Sequence, residues 1–246
     1  MTECSILENV AEVTWTSLNG TITGERTGSG SPAYNDYTNS DTLQIPVDRT
    51  ARITKDLVNP ADDYWTIGSD VYYLIHVTLP RVTVSDLTVT DVIGTAGNAN
   101  NGLEYVGAEF VAPGSSAAGT IAPPSETVSS PNNGTVPVTV TWTFADIPGY
   151  DATTANRDLV IVVHAVVANV NENNNGDTIP NRVTASDSGS CLNWVGGNSA
   201  SSLNVIVSEA HLTIDKSYAV IGGSGLVEGG AVIRYTLALT NNGTSP

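Results

Sequence analysis

No stretch of ten residues in this chain spaces its apolar side chains as a helix would, whereas alternation with a period of two recurs from end to end. Val138-Thr-Val-Thr-Trp-Thr and Leu87-Thr-Val-Thr-Asp-Val are two such runs. Thirty Thr and 29 Val make up nearly a quarter of the 246 residues, and both branch at Cβ, which suits a pleated sheet. A helix bundle and a doubly wound α/β fold are thereby excluded. Twenty-three Gly and 12 Pro punctuate the runs, so the strands are short and the turns frequent. The expected fold is all-β: an antiparallel, Ig-like β-sandwich with partial modules on its flanks.

Further strands are read over residues 9–18, 70–79, 159–167, 182–186 and 231–240. Residues 42–55 read as one strand kinked at Pro46, and residues 202–214 as another single strand. Residues 159–167 are apolar at every position but His164, as expected of a strand at the sandwich centre.

The chain also repeats itself. The segment that starts at Ile53 is echoed by the one that starts at Ile214: Lys55, Gly68, Val71 and Tyr73 match Lys216, Gly230, Ile233 and Tyr235. A fainter echo links the surroundings of Asn9 with those of Asn181. The expected organisation is the closing strands of one module over residues 1–45, a complete sandwich over 46–210, and the opening strands of another over 211–246.

Twenty-five acidic against nine basic residues give a formal charge of −16. So acidic a chain has no basic patch for nucleic acid or for an anionic membrane surface. The apolar runs are too short to insert in a bilayer as helices. Met1-Thr-Glu-Cys4 does not open a signal peptide, so the chain reads as one whose export signal has been removed, or as a segment of a longer protein. Scarce lysine and high acidity suit an extracellular or cell-surface location.

The order of motifs resembles a family. The Lys-to-Gly segment at Lys55 runs into Val71-x-Tyr73-x-Ile75-x-Val77-Thr78. Leu87-Thr-Val-Thr-Asp91-Val, Asn101-Gly-Leu-Glu-Tyr-Val, Trp142-Thr-Phe-Ala-Asp146-Ile and the run from Ala165 to Thr184 then follow. This is similar to the DUF11-type and isopeptide-forming repeats of large bacterial and archaeal surface proteins. The resemblance implies tandem Ig-like sandwiches with structural or adhesive roles, and no enzymatic turnover. In its isopeptide-forming members a first-strand Lys attacks an Asn carboxamide on the last strand, with a carboxylic acid assisting.

Carried over, the resemblance makes Asn181 the partner of Lys55 and Asp91 the assisting acid, with Asp146 behind it. Lys55 and Lys216 are the only lysines, and they hold the same place in the repeat. Burial would lower a lysine's pKa and raise a carboxyl's, which suits this chemistry. The alternative is a lysine whose stem packs at the sandwich edge while its head reaches water or pairs with an Asp. The incomplete flanks suggest that Lys216 of one chain faces Asn9 of the next, giving a homopolymer assembled head to tail by strand complementation.

Other features carry weaker chemistry. Asn171, Asn173, Asn175 and Asp177 space side-chain oxygens at every second position, loosely as in a Ca²⁺ loop, and Asp151, Asn156 and Asp158 form a second candidate. A solvated turn is the alternative for both. Cys4 and Cys191 are either a disulfide between modules or two buried thiols. Asn19, Asn133 and Asn242 each open an Asn-Gly-Thr triplet, a glycosylation acceptor and equally a turn. His76, His164 and His211 lack zinc-ligand spacing. Trp15, Trp65, Trp142 and Trp194 suit a sugar-binding face or, for Trp142 especially, core packing. The expected function is a structural subunit of an extracellular fibre, pilus-like filament or surface stalk. The alternative is a Ca²⁺-dependent adhesin module that binds a glycan or a protein.

Overall fold

The computed structural model describes residues 4–15, 37–58, 64–94, 102–111, 121–129, 131–149, 157–171, 173–202, 204–222 and 225–243. These residues form strands and no helix. The first two strands, β1 (Ile6–Trp15) and β2 (Tyr37–Pro46), pair antiparallel with each other. There follow β3 (Thr50–Val58), β4 (Trp65–Thr66), β5 (Asp70–Leu79), β6 (Thr88–Ile93) and β7 (Leu103–Val111). Next come β8 (Ser125–Val128), β9 (Val138–Thr143), β10 (Arg157–Val167), β11 (Thr178–Ile179) and β12 (Asn181–Ser186). The last are β13 (Asn193–Trp194), β14 (Ser199–Ser201), β15 (Val205–Ser208), β16 (Leu212–Ile221) and β17 (Val232–Asn241).

Two five-stranded sheets make the sandwich, in the orders β13-β3-β5-β10-β7 and β14-β12-β6-β9-β8. A short three-stranded sheet, β11-β15-β4, closes one end. Pairing is antiparallel except between β13 and β3 and between β15 and β4. The period-two alternation sends one residue in two inward. Val71, Tyr73, Ile75 and Val77 of β5 are fully buried against Val89 and Ile93 of β6 and Val138 and Val140 of β9. Each large apolar side chain withdrawn from water in this way contributes about 1.5–3 kcal/mol.

Three expectations about strands need correction. Residues 42–55 are two strands, because Pro46 offers no N–H to continue the ladder and the Asp48 carboxylate takes up the Thr50 N–H at 2.9 Å. Residues 202–214 are likewise divided between β15 and β16. β10 does lie between two strands, but Val160, Val162 and His164 on its outer face are only half-buried.

The terminal pairs differ from the sandwich. β1 pairs with β2 and β16 with β17, each as a separate two-stranded sheet. Their apolar side chains stand in solvent: Leu43 is 61% exposed and Ile214 65%.

Candidate functional site

Ala51, Ile53 and Lys55 are the inward positions of β3, so strand alternation alone points the lysine into the core. Asp91 holds the inward position between Val89 and Ile93 on β6 in the facing sheet. Asn181 opens β12 on the same inward row as Val183 and Ala185. Across the β6–β12 ladder, Asn181 stands opposite Ile93 and Val183 opposite Asp91. Asp91 and Asn181 are therefore diagonal neighbours on one face, within reach of each other's side chains.

The lysine meets them from the other sheet. Lys55 Nζ donates a hydrogen bond to Asp91 Oδ1, and both side chains are wholly shielded from solvent. The ammonium group also lies 4.7 Å from the centre of the Tyr73 ring. Of the two forms of the alternative, the head that reaches water is ruled out by this burial, while the head that pairs with an aspartate is the arrangement present. Asp146 is exposed and takes no part.

Burial governs the electrostatics. It lowers the Lys55 pKa from 10.5 to about 8, against the pull of the Asp91 charge. It raises the Asp91 pKa, opposed by the Lys55 charge and by the Asn181 amide. It raises the Tyr73 hydroxyl as well, and the Asp91 charge adds to that effect.

The centre is also short of hydrogen bonds. Asp91 Oδ2, both polar atoms of the Asn181 amide and the Tyr73 hydroxyl are buried without a geometrically complete hydrogen bond. A buried polar group left so costs about 1–3 kcal/mol, so folding alone does not favour the cluster. Chemically, a desolvated amine and a carboxyl inclined to hold its proton stand beside a carboxamide. That set can perform acyl transfer from nitrogen to nitrogen. Tyr73 was visible only as a repeat position; its place under the amine follows from a register that the sequence does not state.

Cys4 and Cys191 are joined in a disulfide, with Cα atoms 5.3 Å apart. Asp187 Oδ2 accepts the Cys191 N–H at 2.7 Å. Gly189 lies so close that a Cβ there would come within 2.5 Å of the Cys4 sulfur. Beside it Arg49 Nη2 donates to the Ser5 carbonyl at 2.9 Å. The N-terminal pair of strands is thus fastened near the start of β3.

The side chains of the oxygen-rich loop hydrogen-bond to backbone groups of the loop and of neighbouring segments. Asn173 is buried and its Nδ2 donates to the carbonyls of Gly102 and Ala168 at 2.9 and 2.7 Å. Asn175 Oδ1 accepts the Glu209 N–H, and Asp177 Oδ2 accepts the Asn174 N–H. Asn171 is exposed. Asp158 accepts the Thr78 hydroxyl at 2.6 Å, while Asp151 and Asn156 lie outside the described residues. Among the described residues no three His, Cys, Asp or Glu side chains gather as metal ligands.

Asn133 Oδ1 accepts both the N–H and the hydroxyl of Thr135, which is a turn. Asn242 Nδ2 donates to the Thr213 hydroxyl, and Asn19 lies outside the described residues. His164 pairs with Asp70 at 2.7 Å and stacks on Tyr72. Trp65 and Trp142 are buried, and Trp142 Nε1 shares the Glu126 carboxylate with the Tyr105 hydroxyl. Trp15 is 47% exposed on β1.

No protein-family model matches the chain, and no curated protein is similar to it. Among solved structures, the chain is similar to BcpA, the major pilin subunit of Bacillus cereus. The identity is 14% and the TM-score 0.41, over 78% of this chain and 55% of that one. It is also similar to the T6 backbone pilin of serotype M6 Streptococcus pyogenes, at 16% identity and a TM-score of 0.39, over 81% of this chain and 46% of that one. A third is the N-terminal domain of the Streptococcus gordonii adhesin Sgo0707, at 17% identity and a TM-score of 0.37, over 70% of this chain and 35% of that one. The chain spans about half the length of the two pilins.

Proposed function

We propose that this chain is a structural subunit of an extracellular fibre or surface stalk, locked internally by an amide between Lys55 and Asn181. The observation that carries the reading is the buried Lys55–Asp91 pair beside the Asn181 amide. The complete burial of the Lys55 and Asp91 side chains and of Asn181 supports a reaction performed once, on itself. The neutral Lys55 amine attacks Asn181 Cγ, and a C–N bond forms. Asp91 carries the proton lost by the amine to the departing Nδ2, which leaves as ammonia. The product amide holds no buried charge, which relieves the cost of burying an ion.

Such a tie suits a load-bearing module, because it joins a strand of one sheet to a strand of the other. The disulfide supports an oxidising, extracellular setting. The exposed apolar faces of the terminal strand pairs support head-to-tail assembly with further copies. The adhesin alternative has less support, since the Asn175 and Asp177 side-chain oxygens of its candidate Ca²⁺ loop already accept backbone N–H groups.

Sedimentation velocity tests the assembly. The intact chain is expected to form open-ended oligomers that grow with concentration, and a chain without residues 211–246 to remain a monomer. Equal assembly by the shortened chain would overturn strand complementation through that segment.

A further inference from the structure

The two terminal strand pairs reproduce, residue by residue, the two halves of the buried centre. On β3 and β5, Lys55 stands opposite Ile75 and Leu57 opposite Tyr73. On β16 and β17, Lys216 stands opposite Leu237 and Tyr218 opposite Tyr235. The lysine lies over the tyrosine ring in both, at 4.7 Å for Lys55 and 4.8 Å for Lys216. The facing half is copied as well. Asn181 opposite Ile93 and Val183 opposite Asp91 are matched by Asn9 opposite Leu43 and Ala11 opposite Asp41. The sequence echo marked Asn9; only the register brings Asp41 into the position of Asp91.

The surfaces are complementary. Ile214, Leu237 and Leu239 share the face of Lys216 and are 61–67% exposed, and Lys216 is the one charge on that face. Leu7, Val13, Leu43 and Ile45 share the face of Asn9 and Asp41 and are 42–61% exposed. Asp41 is the one charge among those described side chains, while Glu8 and Glu12 lie on the other face of β1. A lone cation in one apolar face thus answers a lone anion in the other.

The attachment points favour a second chain over self-closure. The disulfide fastens the first pair beside Thr50, where Asn193 meets the start of β3. β16 follows β15, whose Ser208 pairs with Thr66 at the opposite end of the sandwich, near Asp70. The nine-residue β3 separates these ends by about 30 Å.

We propose that Lys216 of one copy, with Asn9 and Asp41 of a second copy, forms a composite centre that links successive chains covalently. This rests on the head-to-tail reading above. Lys216 Nζ attacks Asn9 Cγ and a C–N bond forms. Asp41 passes the amine's proton to Asn9 Nδ2, which departs as ammonia. No oxidant or activating enzyme is required.

The test incubates the full chain at increasing concentration and follows both sedimentation and reduced, denaturing electrophoresis. A ladder that survives boiling and reductant is expected. Asp41→Asn is expected to slow the ladder at least a hundredfold relative to the oligomer present, the usual reach of a proton-transferring group. Lys216→Arg is expected to abolish the ladder. Internal ammonia loss, read on the same samples, shows that each variant is folded. Oligomers without a ladder would overturn the composite centre and leave head-to-tail assembly standing. A chain that stays monomeric would overturn both, and an unchanged ladder in Asp41→Asn would remove Asp41 from the chemistry.

Discussion

Lys55 and Lys216 sit in the same local structure and in opposite surroundings. Both stand on a strand paired antiparallel with its neighbour in the same register, and both lie over a tyrosine ring. Lys55 is covered by a second sheet that brings Asp91 and is shut off from water; the apolar neighbours of Lys216 are open to it. The difference separates two contributions. Strand pairing alone sets the lysine on its tyrosine. Only the facing sheet supplies the desolvation that lowers the amine's pKa and the carboxylate that shares its proton.

The largest expected effect breaks the covered site alone. Asp91→Ala leaves the Lys55 amine buried without a partner and should cost about 3–5 kcal/mol, as well as ending ammonia loss. Asn181→Ala removes the tie across a long loop and should lower stability by a comparable amount, about 4–5 kcal/mol on the loop-entropy scale. Chemical denaturation of reduced samples measures both. The corresponding change Lys216→Ala, on the open face, should move the midpoint of the single chain by less than about 0.5 kcal/mol. A large loss there would mean that the terminal face is already covered within one molecule.

The pH dependence of the covered site is next in size. The reacting amine must be neutral, and its pKa is about 8. Ammonia loss, followed by mass after refolding in acid and a jump in pH, should quicken about tenfold per pH unit up to about 8 and then level off. The sign for stability follows from the same value. Above 10.5 the amine is neutral in both the folded and the unfolded chain. As pH falls from there to about 8, the unfolded chain takes up a proton that the folded chain refuses, so unreacted protein loses stability. Denaturation of Asn181→Ala, which cannot react, over this range isolates the effect.

Tyr73→Phe has the smallest expected effect. It removes a buried hydroxyl that has no complete hydrogen bond, so stability should rise or stay within about 1 kcal/mol. Tyr235→Phe, on the exposed face, should leave the single chain unchanged. A loss above that range in Tyr73→Phe would show that the hydroxyl serves Asn181 or Asp91.

Much of the sandwich was legible because its signal is local. Alternation marks the strands, while Lys55, Asp91 and Asn181 were singled out by the resemblance; the inward rows of β3, β6 and β12 are where the structure places them. The repeat singled out Lys216 and Asn9. What was not legible depends on distant partners. In the Asn-rich loop, spacing records oxygens and not their surroundings; the Asn175 and Asp177 side-chain oxygens accept the N–H groups of Glu209 and Asn174. The break after Pro46 depends on the Asp48 side chain finding the Thr50 N–H. Asp41 carries no sequence echo at all, and its likeness to Asp91 exists only in the pairing of β1 with β2.

The most direct measurement is the intact mass of the reduced, denatured chain, followed by proteolysis and fragment sequencing. The expected result is a chain lighter than its sequence by one ammonia, with the peptides that contain Lys55 and Asn181 joined through their side chains. A folded chain at its full, unmodified mass would contradict the account, and Lys55 and Asp91 would then be no more than a buried ion pair.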